Sequence, residues 1–392
     1  MTPTLLADAQ KHRDRIVAIR RKLHAEPELA FQETKTAALV AAELAELKSA
    51  GWTVRTGIGK TGILADLPGP KGAPVFAFRA DMDALPVTEA PGEPFVSTRP
   101  GAAHVCGHDG HTAMLVGTAR LMAEHRAELP VGIRLIFQPA EEKPPGGAPL
   151  MIQEGALDGV AEVYGIHVAP EVPAGMVATR EGPLMAQADR FDMTITGRGG
   201  HGATPHLVLD PVPVAAEIVL ALQTLRARRV APTDPVVITV GRIAGGETFN
   251  QVPDSVVLTG TVRTLAKETS RVLPELIQKA ARGIAEAHGC RFDCVYQKGY
   301  PPLVNHASGV ARVKAAVAEV AGAERFMTCE PTMYGEDFAH YLEERPGAFL
   351  FLGMRHGDAP IEACHSPRFR MDESVLPLGP ALCLAIALGA GK

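Results

Sequence analysis

Residues 186–300 carry the pattern that most limits what this chain can fold into. Phe191–Gly197 reads as a strand, Asp210–Arg228 as a helix, Val236–Ile243 and Ser255–Thr264 as strands, Glu268–His288 as a helix and Arg291–Lys298 as a strand. Gly289 stands just past the second helix, where a stop signal is expected. The order β-α-β-β-α-β is that of a ferredoxin-like α+β unit. On either side the character is α/β. A helical stretch from Ala9 to Ala50, broken near Pro27, precedes strands at Trp52–Thr56, Gly62–Leu67 and Val75–Ala80. A helix follows from Thr112 to about Glu128, then strands at Val131–Phe137 and Val160–Val168. After residue 300 come a helix beyond His306, a strand at Ala348–Gly353 and a final helix beyond Leu376. At 392 residues the chain is too long for one ordinary core. The expectation is one α/β domain, residues 1–185 and 301–392, interrupted by an inserted domain, residues 186–300.

The chemistry concentrates where α/β strands end. Residues 104–111 read His-Val-Cys-Gly-His-Asp-Gly-His, with Cys106 and His108 close enough to serve one metal site. Downstream lie Glu141-Glu142 after the strand ending at Phe137, His167 near the end of the next strand, and Cys364-His365 near the C-terminus. Thiolate, imidazole and carboxylate together suit Zn, Mn, Co or Ni better than Mg or Ca. The donors are scattered along the chain, as in an active site rather than a zinc knuckle. Cys106, His108, His167, His365 and Glu142 are the candidate ligands. Successive side chains diverge, so Glu141 is left to face the substrate as general acid and base. Asp81 and Asp83 are placed to orient ligand histidines, and His104 and His111 as supporting partners or helix caps. In the insert, His201 sits in a glycine-rich loop and could donate to a developing oxyanion. Asn250 and Arg263 are candidates for binding a substrate carboxylate or carbonyl. Glu336-Asp337 precedes a helix, where Asp337 could act as an N-cap.

Eight segments run in a familiar order. They are Arg79-Ala-Asp-Met-Asp-Ala-Leu-Pro86, His104-Val-Cys-Gly-His-Asp-Gly-His-Thr112, Phe137-Gln-Pro-Ala-Glu-Glu142, Gly165-Ile-His167, Arg198-Gly-Gly-His-Gly-Ala-Thr-Pro-His206, Asn250-Gln-Val-Pro253, Gly335-Glu-Asp-Phe338 and His365-Ser-Pro-Arg-Phe369. Together they resemble the M20 metallopeptidase family in its amidohydrolase branch, which includes hippurate hydrolases, N-acyl-amino-acid amidohydrolases and indoleacetyl-amino-acid hydrolases. The resemblance implies a zinc-peptidase-like catalytic domain with a mixed sheet flanked by helices, and an insert that serves for dimerisation. It implies two divalent metal ions per subunit, with Cys106 bridging where peptidase branches use Asp, and His108, Glu142, His167 and His365 completing the set. Glu141 would be the catalytic base. His201 would reach the partner subunit's site, and Asn250 would help bind substrate there. The implied reaction is amide hydrolysis of an N-acyl amino acid in a homodimer or a tetramer. Two departures, Val168-Ala169-Pro170 and Tyr334, bear on the acyl pocket.

Other classes fit less well. A net charge of -5 without a basic cluster argues against nucleic acid. No apolar run reaches the length of a membrane span, and the N-terminus lacks a basic segment followed by an apolar one. Six cysteines without a secretory signal read as thiols or ligands in the cytoplasm. There is no Gly-x-Ser-x-Gly elbow, and no Gly-x-Gly-x-x-Gly leads from an early strand into a helix: Gly57-Ile-Gly-Lys-Thr-Gly62 runs from one expected strand into the next. An N-acetyl-diaminopimelate deacetylase, a dipeptidase and a noncatalytic metal- or peptide-binding protein on the same fold remain as alternatives.

Overall fold

The computed structural model describes residues 4–92, 94–355, 357 and 360–391. The first three residues of the N-terminal reading therefore lie outside the described residues. The chain divides into two compact units, 1–182 with 304–330 and 337–392, and 183–303 with 331–336. The short segment 331–336 thus joins the second unit, although sequence placed it with the first.

The first unit opens with α1 (Thr4–Gln10), α2 (Arg13–Ala25) and α3 (Thr34–Ala45). Strands β1 (Thr53–Ile58), β2 (Gly62–Leu67) and β3 (Val75–Asp81) lead to α4 (His108–Glu124) and β4 (Gly132–Gln138). Then come α5 (Ala148–Gln153), β5 (Val160–Pro173) and β6 (Val177–Thr179).

In the second unit, β7 (Gln187–Thr196), α6 (Pro211–Arg229), β8 (Val236–Ala244), β9 (Ser255–Thr264), α7 (Lys267–Ala287) and β10 (Arg291–Gln297) follow in the expected order. They form an antiparallel sheet of order β8-β9-β7-β10, the ferredoxin-like arrangement. Phe191, Met193 and Ile195 on β7 alternate inward and meet Ile218 and Leu222 of α6 and Leu273 and Ile277 of α7. Asp210 caps α6 by accepting from the Val212 amide at 2.9 Å, with Pro211 at the first helical position. Gly289, at φ +73°, ends the chain's turn out of α7 as the sequence indicated.

The chain returns to the first unit with α8 (Ala307–Val320), β11 (Phe326–Thr328), α9 (Ala339–Glu344), β12 (Gly347–Arg355) and α10 (Leu378–Leu388). Its eight-stranded sheet has the order β1-β2-β4-β3-β5-β12-β6-β11. β4, β3, β5 and β12 run parallel, while β1, β2 and β6 are antiparallel to a neighbour, so the sheet is mixed. Its central strands are buried on both faces, as in Phe76–Asp81, because helices cover both sides. One expectation needs correction. Glu373–Gly391, 19 residues of mean hydropathy 1.8, meets the length and composition of a membrane span. It is a core helix here: 72% of its most apolar window is buried within the protein, where Leu382 and Leu384 join the main cluster.

Candidate metal centre

The carboxyl ends of β3 and β4, the middle of β5 and the start of α4 converge on one cluster of donors. The sequence reading ended the third of these strands at Val168, but it runs on to Pro173, so His167 lies in mid-strand. The sequence reading began α4 at Thr112; it begins at His108. Gly107 makes this possible, turning the chain at φ +93°. A Cβ there would lie 2.4 Å from Cγ2 of Val168, the residue after His167. The turn therefore seats Cys106 and His108 against the strand that carries His167. Gly107→Ala is expected to cost more than the ~1–2 kcal/mol of a left-handed L-residue, because the clash adds to it. Thermal unfolding of the metal-free chain, alongside its metal uptake, measures both effects.

Each histidine of the cluster has its ring set by its surroundings. His108 Nδ1–H donates to the Asp83 carbonyl at 2.9 Å, which leaves the buried Nε2 with no hydrogen-bond partner. His167 Nδ1–H donates to the Val168 carbonyl at 2.7 Å, and its Nε2 faces the Cys106 sulfur at 3.5 Å. His365 Nε2 lies 3.0 Å from Glu142 Oε1. His111 is different: Nδ1–H donates to Asp81 at 2.6 Å and Nε2 accepts from the Val168 amide at 2.9 Å, so both nitrogens are used. His104 is buried with neither nitrogen hydrogen-bonded, and burial pushes its pKa down to about 4. It serves neither as a bonded partner nor as a cap.

The carboxylates divide their work. Asp83 accepts from the backbone amides of Glu141 at 2.9 Å and Glu142 at 3.0 Å, and so fixes the acid pair. Only its carbonyl makes a close hydrogen bond to His108; its carboxylate is 3.4 Å away. Asp81 orients His111 and pairs with Arg79 at 2.7 Å. Burial opposes ionisation of Asp81, but His108 and Arg79 hold its carboxyl well below the usual range. Ala140, just before the acid pair, and His365 adopt φ of +55° and +69°. Such strain costs about 1–3 kcal/mol for a non-glycine residue and is typical of functional sites.

Several supporting residues were not foreseen. Glu33 is buried and accepts from the Ala140 amide at 2.9 Å. The capping role considered for Asp337 is not observed. Its carboxylate turns inward and accepts from Arg79 at 2.8 Å, Gln138 at 2.7 Å and the Ala148 amide at 3.0 Å. It thereby holds both ends of the loop carrying Glu141 and Glu142. Asp109, in the first turn of α4, forms an ion pair with Arg20 and accepts from His24 Nδ1, each at 2.8 Å. The acid pairs at 81/83 and 336/337 were visible in sequence, but which groups they face was not.

Among the donor groups of the described residues, two share a sulfur. Cys106, His108 and His167 bring ligand atoms within 4.8 Å of one another, and so do Cys106, Glu142 and His365. The sulfur of Cys106 belongs to both. Glu141 groups with His108 and Glu142 in the same way. The orphaned His108 Nε2 points to a cation as its missing partner. The donors fit two thiophilic divalent ions.

In the second unit, His201 and Gln251 pair across a short exposed ribbon, and the Gly202 amide donates to the Asn250 carbonyl at 2.8 Å. The Ala203 amide donates to His201 Nδ1 at 3.0 Å. A neutral His201 therefore carries its proton on Nε2 and presents a donor. Arg263 donates to the Met333 carbonyl at 3.1 Å and to Thr261 and Val262. The bond to Met333 ties the segment 331–336 to β9. Tyr334 is exposed in that segment, whereas Val168 is fully buried against the core and does not line an open pocket.

The family described as Peptidase family M20/M25/M40 matches residues 77–388. An N-acetyl-L-cysteine deacetylase of Bacillus subtilis is 40% identical over 363 residues, covering 92% of this chain and 84% of the relative. An IAA-amino acid hydrolase of Arabidopsis thaliana is 37% identical over 387 residues, covering 97% and 88%. A solved Bacillus subtilis protein described as a dinuclear metal binding peptidase from the M20 family superposes with a TM-score of 0.84 at 34% identity, covering 97% and 99%.

Proposed function

The chain belongs to peptidase family M20/M25/M40, and from that premise we propose a dinuclear amidohydrolase that cleaves N-acyl amino acids to a carboxylic acid and a free amino acid. The observation that carries the reading is that Cys106 stands in both donor triads, as a thiolate shared between two ions would. His108 and His167 would hold one ion with it, Glu142 and His365 the other. Zn, Mn, Co and Ni all suit this donor set. When bound, such ions supply Lewis acidity, making water a better acid and drawing charge onto the scissile carbonyl oxygen.

The chain's own groups do the rest. Glu141 takes a proton from the attacking water and delivers it to the leaving amine. Asp83 keeps Glu141 and Glu142 in register, one toward substrate and one toward metal. His201 offers its Nε2–H to the oxyanion of the tetrahedral intermediate, and Asn250, its neighbour on the ribbon, contacts the substrate. In our reading the chain is a homodimer and His201 acts in the site of the other subunit. Chains with His201→Ala and chains with Glu141→Ala should each be inactive, and mixed dimers should regain part of the activity in an amine-release assay. The six cysteines, all free thiols, suit the cytoplasm as its compartment.

Metal loading should release protons. Burial alone would lower the His108 pKa, but Asp81, Asp83 and Glu142 lift it to about 10. The Cys106 thiol, in contact with Cys364 and buried, is held well above its ordinary value. Both are protonated at neutral pH in the metal-free chain, and both must deprotonate to bind. Calorimetric metal titrations should therefore depend on the buffer's ionisation enthalpy, with affinity rising with pH. A buffer-independent heat would contradict ligation by these two groups.

Substrate choice is tested by amine release from hippurate, N-acetyl-methionine, N-acetyl-diaminopimelate and indoleacetyl-alanine by metal-stripped and reloaded protein. The preferred acyl group identifies the activity. Failure with all four would redirect the reading to dipeptides or to binding alone.

A further inference from the structure

His24, a buried residue of α2, takes no part in the reaction, yet it lies between two buried carboxylates. Its Nδ1 is 2.8 Å from Oδ2 of Asp109 and its Nε2 is 3.0 Å from Oε1 of Glu89. A neutral imidazole carries a proton on one nitrogen only. The bare nitrogen would then face a carboxylate oxygen at hydrogen-bond distance. Arg20 pairs with the same Asp109 oxygen and keeps it ionised. The geometry therefore requires an imidazolium with both N–H groups donating. The other groups facing the ring are Arg20 Nη2, 3.2 Å from Nδ1, Phe95, edge-on with centroids 5.6 Å apart, and His104, its ring 6.5 Å away. Phe95 also takes the Arg20 guanidinium over its face at 4.9 Å, which offsets part of the crowding of the two cations. Burial and Arg20 oppose the charge on His24, but Asp109 and Glu89 outweigh them and hold its pKa above the ordinary value.

Each carboxylate leads on to a metal ligand. Asp109 follows His108 directly, in the first turn of α4. Glu89 leads to the loop after His365. Arg370 donates to Glu89 at 3.4 Å and to the Ala90 carbonyl at 2.7 Å, and the Ala90 amide donates to the Pro367 carbonyl at 2.9 Å. Arg20 reaches the same stretch of chain through Glu373, at 3.2 Å. His108 and His365 stand in different donor triads. The triads are thus joined once through the Cys106 sulfur and again through His24.

We propose that His24 is a positioning residue of the metal centre, an imidazolium that ties the start of α4 at His108 to the loop that carries His365. Its effect on metal rests on the ligand assignment above; its charge and its two partners do not. Because folding raises the pKa, the tie is complete below the ordinary histidine value of about 6.5 and is lost as pH climbs through the raised one.

The test compares full-length wild-type, His24→Gln and Glu89→Gln chains. Zn affinity is measured by competition with a chelator across pH, and the His24 ring is titrated by nitrogen NMR in histidine-labelled, metal-free chain. At the acidic end the His24→Gln chain should bind its weaker Zn about tenfold less tightly, the lower end of what an outer partner of a ligand contributes. The gap should close as pH rises, because wild-type His24 then loses its proton too. A loss of packing alone would leave the gap the same at every pH. Glu89→Gln keeps the ring with one carboxylate fewer, so its His24 signals should report deprotonation at lower pH than in wild type, whether or not His24→Gln folds. A wild-type ring already neutral at about pH 6.5, a titration unshifted in Glu89→Gln, or a folded His24→Gln chain with native Zn affinity or a pH-independent deficit would overturn the proposal and leave the metal reading standing. A wild-type chain that took up no Zn would overturn both.

Discussion

Glu141→Gln should lower kcat by about 10²–10⁴-fold, the usual contribution of a positioned general acid and base, while leaving metal content unchanged. The substitution is nearly isosteric. It keeps the backbone amide that donates to Asp83 at 2.9 Å, so the loop and Glu142 stay in place. The side chain is almost fully buried, which leaves little room for bulk water to replace it as base. An amide cannot take up the water's proton, so the loss should fall on kcat rather than KM. Parallel measurements of steady-state kinetics and of bound metal by mass spectrometry separate the two effects. A variant with unaltered kcat would remove Glu141 from the reaction, and one that lost metal would make it a ligand.

Cys106→Ala should have an effect as large by a different route. It removes the one donor that both triads contain, leaving each with two protein ligands, where catalytic sites generally keep three. Affinity should fall by more than the roughly 10–100-fold seen when only a supporting partner of a ligand is lost, and amine release should fall below detection. Cys106→Asp supplies an anionic donor that can also bridge, and should recover part of both metal uptake and turnover. The Ala variant should remain folded by circular dichroism, since a buried Cys otherwise behaves as a small apolar residue. If the Ala variant bound two ions with native affinity, the shared-donor geometry would be wrong.

How much of this was readable beforehand depended on distance along the chain. The second unit was legible because its strands bury one face each: Phe191, Met193 and Ile195 alternate inward, and Gly289 ends α7 within one residue of its expected stop. The donor cluster was legible because its residue types are rare together. The start of α4 was placed four residues late, at Thr112 rather than His108. The left-handed turn at Gly107 lies so close to Val168 that a side chain there would clash with it, and no local pattern reveals that approach. β6 and β11, three residues each, pair only because distant chain brings them together. The same holds for the supports of the acid pair. Asp337 reaches Arg79, 258 positions away, and Glu33 reaches Ala140, 107 positions away. In sequence Asp337 read as a helix cap, because capping is the local use of an aspartate before a helix. Burial beside an arginine turned it inward. The last helix misled on hydropathy for a related reason: α10 is apolar all round because the core surrounds it.

The account as a whole stands on metal-dependent amide hydrolysis by a centre of two ions that share Cys106. Titrating Zn or Mn into the stripped chain, while following amine release from the best N-acyl amino acid of the panel, tests it most directly. The predicted result is no turnover without metal and a rate that reaches its plateau only at two ions per chain. Full activity in the stripped chain, or a plateau at one ion, would contradict it.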